Sequence, residues 1–296
     1  MTTAQNLIDE TKRLIFSSDR EQLNRLNGAV SSTSATTITF EYAAGGIVAG
    51  AVLSIDLELM YVWSVSGQVA TVQRGYLGST AATHADDAII TVNPRYSDFA
   101  IFQALNAELD DLSSPMNGLF KVSTTDITNV VGQVGFDLSM TGLIDVLEVH
   151  YRADSQTKWW RRIDGWRVMN NALTSDFASG RALMIEDAVP LNGVTVRVTY
   201  KAAFVAMASV SSDIQSVCGL PATANDIPPL GAAARLTFPR DVKRAFDDSQ
   251  GEPRRASEVP PNASSAAAQT MLAYRARRIA AEHARLKAMW PTRLVG

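Results

Sequence analysis

The sequence predicts an α+β protein in which two antiparallel β modules are joined by a helix and followed by an α-helical C-terminal arm. Apolar and polar residues alternate from Leu53 to Val65, which is typical of a half-buried strand. Alternation returns at 145–152 and 193–202 with no helical pattern between them, which indicates a β-sandwich. The alanine-rich segment 264–290 has the composition of a long helix.

The first β module is expected to be a small barrel or sandwich. Its central strand is predicted to run without interruption from Leu53 to Val65, with the odd-numbered residues facing the core. Ser66-Gly67 is predicted to close a two-residue hairpin. That hairpin would pair Trp63 with Ala70 and Tyr61 with Val72, and strands within 37–43 and 88–94 would complete the module.

Helical patterns flank the two modules. Residues 3–16 are predicted to form an amphipathic helix, and an apolar stripe at 97–115 predicts the linking helix. Short helices are expected within 230–247, and 249–263 has the composition of an extended linker. The predicted division is an N-terminal helical segment (1–31), a small β module (32–95), a linking helix (96–115), a β-sandwich domain (116–205), a Pro-rich helical or extended linker (206–263) and a C-terminal docking helix (264–296).

Composition excludes several classes of protein. The single cysteine, Cys218, excludes an internal disulfide and is expected to be a small buried residue. The longest apolar run, 202–210, is too short to cross a bilayer, and the first residues lack the order of a secretory signal. A soluble protein made in the cytoplasm, without membrane association, is therefore expected.

The charge is unevenly distributed. From Arg240 onward there are eleven Lys/Arg and six Asp/Glu, a balance of +5, which leaves −8 for the rest of the chain. We expect the basic arm to meet an acidic partner, docking an apolar row into a groove, with binding to DNA as the alternative. The predicted docking residues are Leu272, Arg275, Arg278, Ile279, Arg285, Leu286 and Trp290.

No constellation of catalytic or metal-binding residues is recognised. His84 could act as a base with Asp86 or Asp87, but it is expected to be a surface or loop-ordering histidine. Asp56 and Glu58 are expected to lie on a solvated strand face rather than to form an acid–base pair. The sequence therefore predicts a protein that is not an enzyme, with no catalytic, cofactor-binding or metal-binding residues.

The segment 158–167, KWWRRIDGWR, interleaves aromatic residues with arginines. If Asp164-Gly165 closes a hairpin, Arg162 lies opposite Arg167, and like charges so placed are unfavourable without an acidic neighbour. Arg162, Arg167 and Trp160 are therefore predicted at a subunit interface. The alternative is that one tryptophan packs in the core while the arginines point into water.

The stretch 55–94 resembles a β module of tailed-bacteriophage virion proteins. The matching residues are Glu58, Met60, Val62, Thr71, Val72, Arg74, Gly75, Gly78, Thr80, Ala81, Ala82 and His84, and the family's last glycine is replaced near Asp87. The segment 228–291 is similar to phage neck proteins.

This resemblance implies a structural virion protein, a head-to-tail adaptor forming a ring, commonly twelvefold, between portal and tail. The implied partners are the portal protein, tail and neck proteins and further copies of the chain; genome DNA would pass through the ring without sequence-specific binding. The implied location is the virion neck or tail, and no cofactor is implied. The alternatives are a baseplate or tail-hub component, a carbohydrate-binding virion module using Trp159, Trp160 or Trp166, and a cell-wall enzyme, which the missing catalytic residues disfavour.

Overall fold

The computed structural model describes residues 2–15, 21–43, 46–128, 135–152, 159–186, 193–248 and 263–290, with backbone only for 238–248 and 263–265. It confirms the predicted α+β class, with antiparallel sheets and a C-terminal helix. The chain divides into two compact units. Unit 1 comprises Met1–Leu109, Ala206–Cys218 and Ala222–Arg278, and unit 2 comprises Asp110–Val205, Gly219–Pro221 and Ile279–Gly296.

Unit 1 contains a six-stranded antiparallel sheet in the order β1-β6-β3-β4-β5-β2. Beyond the edge strands β1 and β2, Leu26 and Phe40 form one isolated bridge, so the sheet curls without closing into a barrel. The strands are β1 (Gln22–Arg25), β2 (Thr37–Thr39), β3 (Val52–Ile55), β4 (Glu58–Ser66), β5 (Val69–Gln73) and β6 (Ile89–Val92). The buried core includes Leu26, Ile38, Phe40, Leu53, Ile55, Met60, Val62, Val72 and Ile90.

The predicted uninterrupted strand from Leu53 to Val65 is wrong. A turn at Asp56 and Leu57 separates β3 from β4, which pair Ile55 with Glu58. Because the turn pairs Ile55 with Glu58, the core-facing positions change from odd in β3 to even in β4, where Met60 and Val62 are buried, so the predicted odd-numbered core face is wrong for β4. A length of thirteen residues, above the ~3–10 usual for a strand, is the signal against the prediction.

The predicted register of the next hairpin is also wrong. Gly67 and Gln68 form the turn, so that Ser66 pairs with Val69, and Val65 rather than Trp63 pairs with Ala70. A register shift between Val62 and Ser64 places Trp63 in a bulge. Trp63 is exposed because it follows Val62, which faces the core, and the bulge then brings Val65 to the core side.

The N-terminal helix of unit 1 is confirmed. It is α1 (Ala4–Ile15), and it buries Leu7, Ile8 and Thr11 while Leu14 is exposed. Thr3 and Asn6 cap its start by reciprocal hydrogen bonds to each other's backbone N–H.

Three further helices follow the predicted positions closely. They are α2 (Asp98–Leu112), α3 (Ile227–Asp248) and α4 (Ala263–Met289). The short helices expected within 230–247 are one helix, α3, which packs against α1. Its first turn contains Pro228 and Pro229. Proline is tolerated there because N–H groups in the first turn have no acceptor within the helix. The predicted linker 249–263 lies outside the described residues except for its last one.

Unit 2 contains the predicted antiparallel β-sandwich. One sheet has the order β10-β9-β13-β7 and the other β11-β12-β8. The strands are β7 (Lys121–Thr128), β8 (Gly135–Asp137), β9 (Leu143–Arg152), β10 (Arg161–Ile163), β11 (Trp166–Asn170), β12 (Arg181–Ile185) and β13 (Thr195–Ala202). The core between the sheets includes Phe136, Val149, Ile163, Leu183, Val196 and Val198.

The proposed hairpin at Asp164-Gly165 is not present. β10 pairs with β9 and β11 pairs with β12, so these two residues connect one sheet to the other. The chain crosses because Ile163 and Trp166 both pack on the core between the sheets. Turn-type residues alone do not distinguish a hairpin from such a crossing.

Cys218 is fully buried, as predicted. Within the described part of the chain, none of the helices is long and apolar enough to cross a membrane.

Candidate functional site

A buried carboxylate, Glu58, organises one end of the first sheet. It is the first residue of β4, directly after the turn at Asp56 and Leu57, and its side chain is fully enclosed. The loop that follows β5 returns to the same place. That loop brings Arg74, Gly75, Ala82 and His84 against Glu58.

Five hydrogen bonds converge on the Glu58 carboxylate. Arg74 binds it in a bidentate fork, Nε to Oε1 at 2.6 Å and Nη2 to Oε2 at 2.7 Å. The backbone N–H groups of Gly75 and Ala82 donate at 3.1 and 2.9 Å, and His84 Nε2 lies 2.9 Å from Oε2. Every lone-pair direction of the carboxylate therefore has a partner.

His84 binds two carboxylates with its ring and links the segment at Val30 to the loop through its backbone. Its other ring nitrogen, Nδ1, lies 2.9 Å from Asp56 Oδ2, and its side chain is fully enclosed. Its backbone exchanges both hydrogen bonds with Val30 at 2.9 Å. His84 is thus a loop-ordering histidine; the surface position considered for it is wrong.

Arg74 and Gly75 fix the loop geometry. Besides Glu58, the Arg74 guanidinium donates to the backbone carbonyls of Ser32, Ala35 and Ala82. Gly75 has φ 62°, and a Cβ there would lie 3.0 Å from the carbonyl of Ser79. A glycine is needed at this position because both the dihedral angle and the space exclude a side chain.

The network holds both central groups in their charged forms. Burial opposes ionisation of Glu58, but hydrogen bonds led by those from Arg74 and His84 outweigh it and lower its pKa to about 2. Burial likewise opposes protonation of His84, but its bonds to Asp56 and Glu58 raise its pKa to about 9. His84 is therefore an imidazolium at neutral pH and donates from both nitrogens.

The side chains of Glu58 and His84 are both fully enclosed by the chain. Asp56 is the only member of the pair Asp56–Glu58 that meets solvent, with 64% of its side chain exposed. The prediction that both carboxylates lie on one solvated strand face is wrong, because the turn between β3 and β4 places them on either side of the His84 ring. Among the described residues no cluster of His, Cys, Asp and Glu has the arrangement of a metal site.

A second buried carboxylate, Glu108 of α2, lies among the helices of unit 1. Arg275 of α4 donates to it from Nε at 2.7 Å, and Arg235 of α3 donates to its other oxygen. A Cβ on Gly231 would overlap the Glu108 carboxylate. Sequence analysis missed this cluster, although Glu108 follows Leu105 by three residues and so lies on the apolar stripe that predicted α2.

The predicted docking row of α4 is mostly not available to a partner. Ile279 and Leu286 are buried within the chain, and so is Arg275, because the helix turns a face with 3- and 4-residue spacing inward. Leu272 is 44% exposed, and Trp290 is half-buried. The fully buried or nearly buried residues on this face are Ala268, Arg275, Ile279, Glu282 and Leu286.

The arginines predicted to dock have carboxylate partners within the chain. Arg278 binds Asp226 in a bidentate fork at 2.6 and 3.0 Å, and Arg285 donates to Glu282 at 2.7 Å. Arg277 differs from them, since it is exposed and makes no ion pair with any described residue. Part of the basic charge of α4 is therefore already paired within the chain.

The residues predicted at a subunit interface, Arg162, Arg167 and Trp160, lie apart in the sandwich of unit 2. Arg162 lies 3.4 Å from Asp164 and Arg167 lies 2.5 Å from Glu186, both within the chain. The two arginines are on different sheets, so the like-charge repulsion that motivated the interface does not arise. Both side chains are exposed.

The three tryptophans weighed for carbohydrate binding have different surroundings. The ring of Trp160 lies against the guanidinium groups of Arg197 and Arg152, at 3.9 and 4.8 Å from its centroid. Trp166 packs on the sandwich core, and Trp159 is 76% exposed. Only Trp159 of the three offers a largely open ring.

Comparison with known proteins does not assign a family: neither a family model nor a curated protein matches this chain.

Proposed function

We propose that this chain is a structural virion protein that joins the head of a tailed bacteriophage to its tail, as a ring between portal and tail. The observation that carries the proposal is the convergence of the motif's polar residues on Glu58. In the sequence the acid, the arginine–glycine pair and the histidine are spread over 58–84. In the fold all of them meet at one carboxylate.

This convergence supports the resemblance by a simple argument. A chance match to a loose pattern gives no reason for its polar residues to touch one another. Here each of them has a physical role, since together they offset the cost of burying Glu58 and hold a long loop with little regular structure. The residues that resemble the phage module are thus those that specify its local structure.

The use of charge inside the chain also favours a structural role. The buried acids Glu58 and Glu108 are both bound by arginines, and neither has a side chain that a substrate reaches. Such pairs favour one arrangement of their segments over others, which suits a part that must fit several neighbours.

Assembly is the direct test. The purified chain is measured by light scattering and electron microscopy, alone and with a portal protein from the same phage. A ring, twelvefold by the family resemblance, or a stable complex with portal is expected. A chain that stays monomeric and does not bind portal contradicts the adaptor role. Gold labelling of purified particles then separates the neck from the baseplate and tail hub.

The basic arm is tested by Arg277→Glu, since this arginine is exposed and its loss leaves no carboxylate unpaired among the described residues. We expect weaker portal binding and a smaller salt dependence. Gln269→Glu, which places a glutamate at another exposed position of α4 without removing an arginine, is the control. Equal binding by both variants and the wild type removes the arm from the proposed interface. Deleting 264–296 is a poorer test because it also removes the Arg275 partner of Glu108.

A further inference from the structure

The outward face of β2–β5–β4–β3 in unit 1, here called the aromatic face, is uncharged. Apart from the buried pair Ser54 and Leu59, each side chain on it is exposed or half-buried, and none is an acid, lysine, arginine or histidine. This differs from the chain as a whole, in which 19% of residues are charged. The face consists of Thr37, Thr39, Val52, Tyr61, Trp63, Ser64, Ser66, Val69, Thr71 and Gln73.

Trp63 is the most prominent residue of the aromatic face. It sits in the bulge between Val62 and Ser64 and is 61% exposed. Tyr61 meets its ring edge-on, with centroids 4.9 Å apart and planes at 76°, and Tyr76 lies 5.3 Å from Tyr61. The edge-on contact holds the indole in place while leaving it open to solvent, so a ligand binding there immobilises little.

The absence of charge limits what this face can bind. Nucleic acid and acidic surfaces require lysines or arginines to neutralise them, and cationic partners require carboxylates. Four strands of about five residues make a projected area of roughly 300 Å², which is small for a stable protein partner. With these partners excluded, a small neutral ligand is the kind of molecule that fits the face.

The polar groups favour a sugar over an apolar ligand. The hydroxyls of Ser64 and Thr71, which pair across β4 and β5, and the amide of Gln73, which pairs with Tyr61, both donate and accept hydrogen bonds. An apolar ligand would leave these groups desolvated without partners. A pyranose satisfies them with its hydroxyls and offers its C–H face, which is positively polarised, to the negative face of an indole.

We propose that the aromatic face binds a neutral oligosaccharide, with one sugar ring stacked on Trp63 and its hydroxyls bound by Ser64, Thr71 and Gln73. This activity goes beyond joining head to tail and does not depend on it. It also differs in place from a site built on Trp159, Trp160 or Trp166, which belong to unit 2.

The test uses the full chain and neutral glycans, namely a neutral-glycan array followed by calorimetry with maltohexaose, cellohexaose and chitohexaose. A heparin hexasaccharide is the charged comparison. Binding of at least one neutral glycan is expected. Trp63→Ala should weaken it about tenfold or more, as loss of one stacked ring does, and Gln73→Ala should weaken it severalfold. Trp159→Ala, which removes another exposed indole, should leave it unchanged.

Four results would overturn the proposal. The first two are that no neutral glycan binds at up to about 10 mM, and that heparin binds more tightly than the neutral glycans. The third is an equal loss of glycan affinity in Trp63→Ala and Trp159→Ala. The fourth is a change in the mass of the protein in solution caused by Trp63→Ala, which would make the face a protein interface. Trp63 is largely exposed, so its variant should fold, and the melting temperature of each variant checks this.

Discussion

At Glu58 the cost of removing a carboxylate from water is offset by five donors, three of which belong to the charged side chains of Arg74 and His84. Replacing such a group does not simply remove its own bonds. It leaves the guanidinium of Arg74 and the ring of His84 enclosed without their anion. The energetic consequence therefore falls on the whole loop from Arg74 to His84.

We expect Glu58→Gln to destabilise unit 1 by about 3 kcal/mol, because breaking a buried ion pair leaves an uncompensated charge. Denaturation by urea, followed by near-ultraviolet circular dichroism, measures this. Asp56→Asn is the matched control: it also changes a carboxylate bound to His84, but one that is mostly exposed. Its cost should be clearly smaller, and an equal cost in the two variants would contradict the central role of Glu58.

The same network predicts a stability that falls at both ends of the pH range. The pKa of Glu58 is lowered from 4.5 to about 2, so its contribution is present above pH 4.5 and is lost as the pH falls toward 2. The pKa of His84 is raised from 6.5 to about 9, so its contribution is complete below pH 6.5 and is lost as the pH rises through 9.

Melting temperatures measured from pH 2 to 10 check this profile. His84→Gln should flatten the fall between pH 6.5 and 9, while His283→Gln, at an exposed position of α4, should leave it in place. A wild-type profile that stays level from pH 6.5 to 9 would show that His84 is not held as an imidazolium.

Replacing Gly231 by alanine is expected to change stability in the direction opposite to the usual one. Glycine to alanine within a helix normally stabilises by about 1 kcal/mol. Here the new Cβ would overlap the Glu108 carboxylate, which is held by Arg235 and Arg275. We expect Gly231→Ala to destabilise by several kcal/mol. In a double-mutant cycle with Glu108→Ala the two costs should be far from additive, and additive costs would refute the contact.

At the scale of elements, α4 was predicted as a helix at the right position, but the residues on its buried face were wrongly assigned. Its position was predictable from alanine content and from Pro291, which follows the last described residue. The inward face was not, because it contains two charged residues, Glu282 and Arg275, and sequence analysis had assigned Arg275 to a row that docks on a partner. Buried charges become recognisable only when their partners are known, and Glu108 is 167 positions away in sequence.

Arg275→Ala should therefore loosen α4 from unit 1, at a cost of about 3 kcal/mol. Hydrogen exchange along the helix measures the loosening, and we expect faster exchange on both sides of position 275. Arg277→Ala, a neighbouring arginine without an ion pair among the described residues, is the control. The role of the Arg275–Glu108 pair is refuted if the two variants exchange alike.

The strands show a similar limit. Their existence followed from alternation and was mostly predictable, as was the sandwich of unit 2. The turn at Asp56 and the crossing at Asp164 were not. Polar and apolar residues alternate in the sequence across the turn even though the turn reverses which positions face the core, and a turn pair looks the same wherever the chain goes next. These turns decide which side chains meet, so the Glu58–His84 contact could not be predicted although the strands around it could.

For the whole molecule, the sequence predicted its class and the position of most helices better than its sites. The acidic excess of 1–239 and the basic excess beyond it suggested an arm that binds an acidic partner. In the structure several of the arm's arginines instead bind Glu108, Asp226 and Glu282 of the same chain. Local composition predicts secondary structure through short-range physics, whereas pairing of distant charges depends on the tertiary fold.

The nearly closed sheet of unit 1 has a consequence for behaviour at high concentration. Around the Leu26–Phe40 bridge, the backbone N–H of Asn27 donates to the carbonyl of Thr39, and the backbone N–H of Glu41 donates to the carbonyl of Arg25. Backbone groups next to both outer strands are therefore already occupied. A stray extended peptide finds few free amides there on which to begin a new strand. This module can therefore be crowded against many copies of itself with little tendency to form fibrils.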